Sequence, residues 1–396
     1  MESTTTDLTI SATANRMSVR SGLGIVTAVF LVSRFLLGLP SSTARWTFWN
    51  GLDFQRWDSW NYLYIAYKGT SLHVCTWGDM NFWLTWCGNA GWLPGYPVMV
   101  RLIQKLGFPM LTAAGIVTLT AWLLTLFVVW YGWLRYTSKT RSFLTLLLFA
   151  MFTGAIYTFA VFPMSCATFF VVLGYYFAGQ RRYIVGGLSL LTAGLMYPVV
   201  WYISVAMVLV ALWHMRTNGV RAASRELLTG VLGLGALPAL FIYDAISTHH
   251  WDAFFLYQQQ VVQHYKSTFG MAYFDAIIRR SVPESKMLGS AGAIWLSIGV
   301  MCVLLLVGLA LRSHWVQRAT APLASIDLYA MAGAIVVLAS FFYTNSPSQW
   351  TRGIIFAGPA VLLLRNRSPK LLAVLVILSS VSSVAMAHYF FKGTLV

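Results

Sequence analysis

The sequence predicts an all-α integral membrane protein that crosses the bilayer many times. Of the 396 residues, 58% are hydrophobic and only 10% are charged, whereas soluble domains contain roughly 25% charged residues. The apolar residues also fall into long runs, and a run of about 20 is what a helix needs to cross the hydrocarbon core. The 17 Trp, 19 Tyr and 25 Phe residues suit a large surface in contact with lipid and its interfaces.

Residues 1–21 are predicted to form a cytoplasmic tail, because this Ser/Thr-rich stretch carries Arg16 and Arg20 beside the first apolar run. That run, 22–39, is too long for a typical signal-peptide core and adjoins no small-residue cleavage site, so we expect a retained first span. Arg34 lies inside it, at an insertion cost of roughly 2.5–3.5 kcal/mol for a central position. Its side chain either snorkels to the outer interface or binds an anionic partner at a cavity edge.

Ten further apolar segments follow, which gives eleven predicted spans in one transmembrane domain, 22–396. The later segments are 109–134, 142–160, 165–179, 183–197, 198–215, 227–246, 290–311, 326–343, 353–364 and 371–391. Alternation from a cytoplasmic N-terminus places the Lys/Arg clusters between them inside, as the positive-inside rule requires. The net charge of +16 is thereby explained, and no nucleic-acid partner is expected. Residues 41–108 and 247–289 become two extracytoplasmic loops.

The first loop opens with a predicted helix. From Trp57, aromatic residues recur at Trp60, Tyr64 and Tyr67, a spacing that forms a Trp/Tyr stripe suited to the membrane–water boundary. Asp58 opens this helix and has two readings. It caps the free backbone amides of the helix N-terminus, which the pattern alone favours, or it acts as a general base at the boundary.

The same loop contains a second predicted helix and two cysteines. Within 93–106, Met99, Leu102, Ile103 and Leu106 form one apolar face, which is typical of an interfacial helix that does not span. Cys75 and Cys87 precede it, and an oxidising compartment could join them in a disulfide. The sequence leaves that bond open.

The second loop predicts one or two further amphipathic helices on the outer surface. Gln260 and His264 lie on the first of these and either hydrogen-bond a sugar or phosphate or belong to a solvated polar face. The histidines of this loop lack the spacing of a metal site. No metal is therefore expected.

Arg352 ends a polar turn, 343–352, at the predicted outer mouth of the next apolar segment. A guanidinium there can hold a phosphate with two hydrogen bonds, which is worth more at a low-dielectric edge than on an open surface. The alternative is interfacial snorkelling. The sequence contains no Gly-rich phosphate loop, zinc motif or nucleophile elbow.

Two stretches of the first loop resemble the PIG-V family, the second mannosyltransferase of GPI-anchor synthesis and its bacterial relatives. They are Arg-Trp-Asp-Ser-Trp-Asn-Tyr-Leu-Tyr-Ile-Ala-Tyr-Lys-Gly at 56–69 and Gly-Trp-Leu-Pro-Gly-Tyr-Pro-Val-Met-Val-Arg at 91–101. Weaker similarities lie at 160–174, 251–260 and 348–352. The resemblance implies a GT-C fold, the class of polytopic glycosyltransferases that use lipid-linked sugar donors.

The resemblance also implies an activity: inverting transfer of mannose from polyprenyl-phosphate mannose to a lipid-linked or lipoglycan acceptor, outside a prokaryotic plasma membrane. Asp58 becomes the expected general base, with Asp53 as the alternative, and no metal or other cofactor is needed. The remaining expected site residues are Arg352, Lys266, Gln260 and His264 for the donor phosphate and sugar, and Trp57, Trp60 and Tyr96 for an aromatic lining.

The chain departs from the family pattern at two places. It has Met-Ser-Cys-Ala-Thr at 164–168, where relatives often carry an acidic triplet, and Tyr197 before Pro198, where an arginine is common. Transfer of another sugar therefore stays an alternative. A lipid or sugar transporter is the alternative from another class, but the near absence of acidic residues from the predicted spans argues against it.

Overall fold

The computed structural model describes residues 17–41, 43, 51–56, 58–79, 85–264, 299, 302–310, 312, 325–344 and 352–393. Five helices in these ranges are long and apolar enough to cross a membrane, in agreement with the predicted all-α, multi-pass class. They are Val19–Gly38, Met110–Leu134, Val199–Thr217, Ala223–Thr248 and Pro369–Phe391. Shorter apolar helices lie at Met164–Gly179, Tyr183–Gly194, Ile326–Ser340 and Ile354–Leu364.

We number the α-helices in chain order. They are α1 (Val19–Gly38), α2 (Ser59–Lys68), α3 (Gly95–Gln104), α4 (Met110–Val129), α5 (Lys139–Ala150), α6 (Met164–Gly179), α7 (Tyr183–Gly194), α8 (Val199–Asn218), α9 (Val220–Leu234), α10 (Ala236–Thr248), α11 (Ala253–His264), α12 (Ser325–Thr344) and α13 (Pro369–Phe391). Short 3-10 turns lie at Gly51–Phe54 and Ala155–Thr158, and a long 3-10 helix at Ile354–Leu364.

Local sequence explains where several helices begin. Ser18, Ser138 and Ser368 each accept a hydrogen bond from the backbone N–H three residues later, at 3.3 to 3.5 Å. This bond satisfies one of the free amides at a helix N-terminus. In α13 the capping serine is followed by Pro369, whose fixed φ suits the first helical turn.

The predicted span 142–160 is only partly helical, because α5 ends at Ala150. Gly154 follows with a φ of 87°, and the backbone continues as a buried 3-10 turn. The hydroxyls of Ser379 and Ser383 donate to the carbonyl of Met151 at 2.6 and 2.7 Å. Irregular backbone inside a membrane protein requires such internal partners.

The 3-10 helix Ile354–Leu364, here called the central 3-10 helix, lies in the core, and each of its 11 residues is buried. At about 2.0 Å per residue it is about 22 Å long. Arg352 precedes it and Arg365 follows it. The helix therefore separates two arginines by most of the thickness of a hydrocarbon core.

A hairpin absent from the sequence prediction follows α2. Strand β1 (Leu72–Val74) pairs antiparallel with β2 (Trp86–Gly88), with His73 opposite Cys87. A disulfide joins Cys75 to Cys87. The sequence did not indicate these strands because each has only three residues, too few for an alternating pattern.

Helix α3 is amphipathic. Tyr96 and Val100 are fully buried, and Met99 and Ile103 pack partly buried against the core. Leu102 and Leu106 are exposed on the protein surface, where the apolar face of an interfacial helix meets lipid.

Candidate functional site

Asp58 lies at the first turn of α2 but does not cap it. Its carboxylate makes no capping hydrogen bond to the helix backbone. The turn is held by Ser59, whose Oγ accepts a hydrogen bond from the Arg56 backbone N–H at 3.0 Å. The capping interpretation of Asp58 is therefore wrong, and the carboxylate is directed to another partner.

That partner is Arg352, 294 residues later in the chain. The Nη1 of Arg352 donates to Oδ2 of Asp58 in an ion pair. The Arg352 side chain is 9% exposed and the Asp58 side chain 26% exposed. The arginine therefore lies deeper, and the carboxylate is the accessible member of the pair.

Aromatic residues surround the guanidinium. The Cζ of Arg352 lies 5.0 Å from the ring centroid of Phe162. Tyr62 and Tyr157 pack edge-on against Phe162, with ring centroids 6.1 and 5.5 Å away. A cation held over a ring and removed from water gains about 2 kcal/mol.

Two further tyrosines complete the surroundings of the pair. Tyr197 stacks on Phe356 of the central 3-10 helix, with centroids 5.7 Å apart, and lies close enough to interact electrostatically with Asp58 and Arg352. Tyr96 lies behind Tyr62 as seen from Phe162. Its ring packs edge-on against Tyr62 at 5.9 Å, and its hydroxyl bonds Thr118 Oγ1 at 3.1 Å.

Tyr62 provides a neutral phenol beside the pair. Burial, together with the negative charge of Asp58, raises the pKa of Tyr62 well above its usual range. The phenol therefore keeps its proton at any physiological pH and offers hydrogen bonds rather than charge.

Arg56 fixes the loop that carries Asp58 to the end of α13. Its Nε and Nη2 donate to the backbone carbonyls of Phe390 and Phe391 at 3.2 and 3.3 Å, and its Nη1 donates to the Gln55 carbonyl at 2.6 Å. Arginines favour such carbonyls at helix C-termini, where the dipole is negative. The loop two residues before Asp58 is thus anchored to the last helix.

Asp53 lies close enough to both Arg34 and Arg56 to interact with them electrostatically. Asp53 also accepts a hydrogen bond from Thr43 at 2.9 Å. The Arg34 guanidinium is buried, with its Cζ 4.1 Å from the ring centroid of Phe54. The Arg34 guanidinium is therefore enclosed by the protein, and an acid close enough to interact with it is Asp53.

Three second-loop residues were expected to bind the donor, and Gln260 is the one whose side chain the structure describes. Gln260 is engaged elsewhere, because its Oε1 accepts from the Trp86 N–H at 2.9 Å and its Nε2 donates to the Trp86 carbonyl at 2.5 Å. These two bonds attach α11 to the hairpin. Trp57, Lys266 and the side chain of His264 lie outside the described residues. Trp60 is 67% exposed and does not line the buried surroundings of the pair.

Three buried acids, Glu226, Asp244 and Asp327, lie at or beside the ends of predicted spans. The carboxylate of Glu226 accepts a hydrogen bond from the Tyr329 hydroxyl at 2.6 Å, and its other oxygen lies 2.7 Å from Nδ1 of His214. Asp327 accepts two bonds from Arg365, at 3.0 and 2.7 Å. The sequence alone could not identify the partners of these acids, because each pair joins different helices.

A third buried acid, Asp244, serves α11. Its carboxylate accepts a hydrogen bond from the Phe254 backbone N–H at 3.0 Å, in the first turn of that helix. An anionic acceptor at a helix N-terminus is stabilising. Each of the three buried acids thus has a structural partner.

Within the described ranges, no group of three or more His, Cys, Asp or Glu side chains is arranged to hold a metal ion. A comparison with protein-family models gives no match, and a comparison with curated protein sequences gives none either.

The residues that sequence reasoning missed are Arg56, Tyr62, Tyr157, Phe162 and Tyr197. Arg56 and Tyr62 lie in the stretch that resembles PIG-V proteins, so that similarity could have directed attention to them. Tyr157 and Phe162 lie in a buried segment whose composition is indistinguishable from a span. Their common signal is three-dimensional, because all of them contact or neighbour the Asp58–Arg352 pair.

Proposed function

We propose that the protein is a GT-C glycosyltransferase that moves mannose from polyprenyl-phosphate mannose to a hydroxyl of a lipid-linked or lipoglycan acceptor. The observation that carries the proposal is the Asp58–Arg352 pair, which joins a partly accessible carboxylate to a buried guanidinium. A base for a hydroxyl and a cation for a departing phosphate are the two groups that this transfer requires.

In the proposed reaction, the acceptor oxygen attacks the anomeric carbon of the donor while Asp58 takes the hydroxyl proton. The new C–O bond forms as the bond from the anomeric carbon to the phosphate oxygen breaks, and its electron pair leaves with the phosphate. The products are the mannosylated acceptor, with inverted configuration, and polyprenyl phosphate. The proton on Asp58 then passes to water.

Arg352 is proposed to stabilise the negative charge that grows on the phosphate. A singly charged phosphodiester becomes a phosphate monoester with more charge, so a fixed cation favours the transition state and product over the ground state. The surrounding aromatic rings exclude water and strengthen this attraction.

The proposed topology has eleven spans, a cytoplasmic N-terminus and the Asp58 site on the extracytoplasmic side of a plasma membrane. It is supported by the distribution of Lys/Arg clusters between apolar segments. A bilayer site also suits both substrates, because the donor and acceptor are anchored in lipid.

Two alternatives have specific tests. Transfer of another polyprenyl-phosphate-linked sugar would use the same two residues and differs only in the donor accepted. A transporter would more often show intramembrane acids along its transport pathway. Glu226, Asp244 and Asp327 are each tied to the fold by hydrogen bonds instead.

The test is an assay of purified protein in lipid vesicles with labelled polyprenyl-phosphate mannose and a membrane-lipid extract. We expect transfer by the wild type and by Asp79→Asn, and loss of transfer by Asp58→Asn. Asp79 is a matched control because it is an acid in the same loop, bonded to Thr76 and His73. Asp53→Asn tests the alternative base.

Transfer that persists in Asp58→Asn and vanishes in Asp53→Asn would move the role of base to Asp53. If the wild type is inert with polyprenyl-phosphate mannose but active with another sugar donor, that other sugar replaces mannose in the proposed reaction. A wild type that transfers no sugar and instead moves labelled lipid between leaflets would support the transporter.

A further inference from the structure

The guanidinium of Arg352 has unused hydrogen-bonding capacity. It carries five N–H donors and can bind an anion with two parallel bonds. In the described part of the chain, Nη1 bonds Asp58 and the buried Nε has no partner. A charged group that is more than nine-tenths buried is costly unless it is fully bonded. Arg352 can therefore donate more hydrogen bonds to an anion than it donates to Asp58.

Among the described residues, the groups around Arg352 other than Asp58 are neutral. Phe162 covers the guanidinium, and the neighbouring groups Tyr62, Tyr157 and Tyr197 are phenols. Asp58 is the charged partner that the structure gives to Arg352. Because Asp58 is the more exposed of the two, an incoming anion reaches the guanidinium at the place that the carboxylate occupies.

The following inference rests on the proposed function. We propose that Asp58 and the donor phosphate are alternative partners of Arg352, so that the donor must bind before Asp58 is released to accept a proton. In the absence of donor, Asp58 occupies the phosphate site. The pair is then a closed form of the site rather than its working arrangement.

This exchange fixes the order of events. The donor phosphate displaces the carboxylate from Arg352, and only then can Asp58 turn to an acceptor hydroxyl. After transfer, Asp58 carries the proton and polyprenyl phosphate occupies Arg352. Once Asp58 has lost that proton to water, its carboxylate competes again for Arg352 and promotes release of the lipid phosphate.

The first test measures binding of a short-chain polyprenyl monophosphate to the full-length protein in detergent or nanodiscs. We expect Asp58→Asn to bind this probe about tenfold more tightly than the wild type, because coupling between close charged partners is typically above 1.4 kcal/mol. Arg352→Gln should lose most binding, and Asp79→Asn should match the wild type. The uncharged polyprenol of the same length corrects for binding by the tail alone.

If Asp58→Asn binds the probe as tightly as the wild type or more weakly, the exchange is overturned. It is also overturned if neither the wild type nor any variant binds the probe. The proposed function is judged separately, by mannose transfer in the wild type. A wild type that transfers mannose while Asp58→Asn binds the probe no more tightly would leave the enzyme standing and remove the exchange.

A second test needs no substitution. A carbodiimide labels accessible carboxylates, and mass spectrometry measures the labelled fraction at Asp58 with and without the polyprenyl monophosphate. We expect the probe to increase labelling at Asp58 and to leave labelling at Asp79 unchanged. The uncharged polyprenol should change the labelling of neither residue. Unchanged or decreased labelling at Asp58 would mean that phosphate joins the pair or avoids it, and either result contradicts the exchange.

Discussion

The two ends of the central 3-10 helix carry ion pairs of the same residue types with opposite burial. At one end Asp327 is 5% exposed and its partner Arg365 is 20% exposed. At the other end the arginine is the buried member, at 9% for Arg352 against 26% for Asp58. The first pair leaves its carboxylate closed to ligands, whereas the second leaves its carboxylate accessible.

The hydrogen bonds of the two pairs differ in the same sense. Arg365 holds both oxygens of Asp327 and also donates to the Leu362 carbonyl at 3.0 Å. Arg352 bonds one oxygen of Asp58 and keeps an unpartnered Nε within the described residues. A saturated pair stabilises one packing arrangement, whereas an unsaturated pair at an accessible position has capacity left for a ligand.

Arg352→Gln should lower the rate of transfer strongly, because it removes the proposed phosphate cation. Preorganised charge of this kind is worth about 10²–10³ in rate, so we expect kcat/KM for polyprenyl-phosphate mannose to fall by that factor. Arg352→Lys should fall less, since it keeps the charge and loses the planar fork. Steady-state kinetics in vesicles measures both. An Arg352→Gln enzyme as active as the wild type would remove the clamp from the mechanism.

Asp327→Asn tests the other end of the helix and should act on stability. It leaves Arg365 without its counter-charge, and for a pair that is partly exposed we expect a loss of about 2 kcal/mol, between surface and buried values. Thermal unfolding in detergent measures this loss, and the transfer rate per folded molecule should stay near that of the wild type. A variant with full stability and no activity would contradict the structural role of this pair.

Arg56→Ala should have an intermediate effect, because it frees the Asp58 loop from the end of α13. We expect kcat to fall about tenfold, since a small misplacement of a reacting group is costly, with little change in KM for the donor. Arg56→Lys should restore part of kcat because it can still donate to one carbonyl. A loss confined to melting temperature would show that Arg56 only stabilises the fold.

Gln260→Ala should have the smallest effect. It removes two hydrogen bonds to the Trp86 backbone, and each such bond contributes about 1 kcal/mol. We expect a lower melting temperature and an unchanged KM for the donor. An increase in KM without loss of stability would return Gln260 to the donor-binding role that the sequence suggested.

The sequence predicted the features that depend on neighbouring residues. Length and composition were enough for the spans that became α8 and α13. They were not enough for 142–160, because a buried irregular segment and a helix have the same apolar composition. Only the serines of α13 that bond Met151 reveal how its backbone is satisfied.

The candidate site was only half predictable for a related reason. Asp58 was found because its motif is local, and Arg352 because it ends a polar turn, but nothing in one sequence pairs residues 294 positions apart. For the same reason the sequence did not predict the partners of Glu226 and Asp327, which lie in other parts of the chain. Arg56 was overlooked because its partners are backbone carbonyls of α13, which any residue type presents.

The most direct measurement compares Asp58→Asn with Asp327→Asn in one preparation, recording both mannose transfer per folded molecule and melting temperature. The account predicts that the two variants differ in transfer per folded molecule. Asp58→Asn should lose about 10²–10⁴-fold in transfer, the usual contribution of a general base, and should also melt lower, because it leaves the buried Arg352 without its counter-charge. Asp327→Asn should melt lower too but transfer normally per folded molecule. If Asp58→Asn, like Asp327→Asn, keeps the wild-type transfer rate per folded molecule, the two ends of the central 3-10 helix are equivalent structural pairs and Asp58 is not the base.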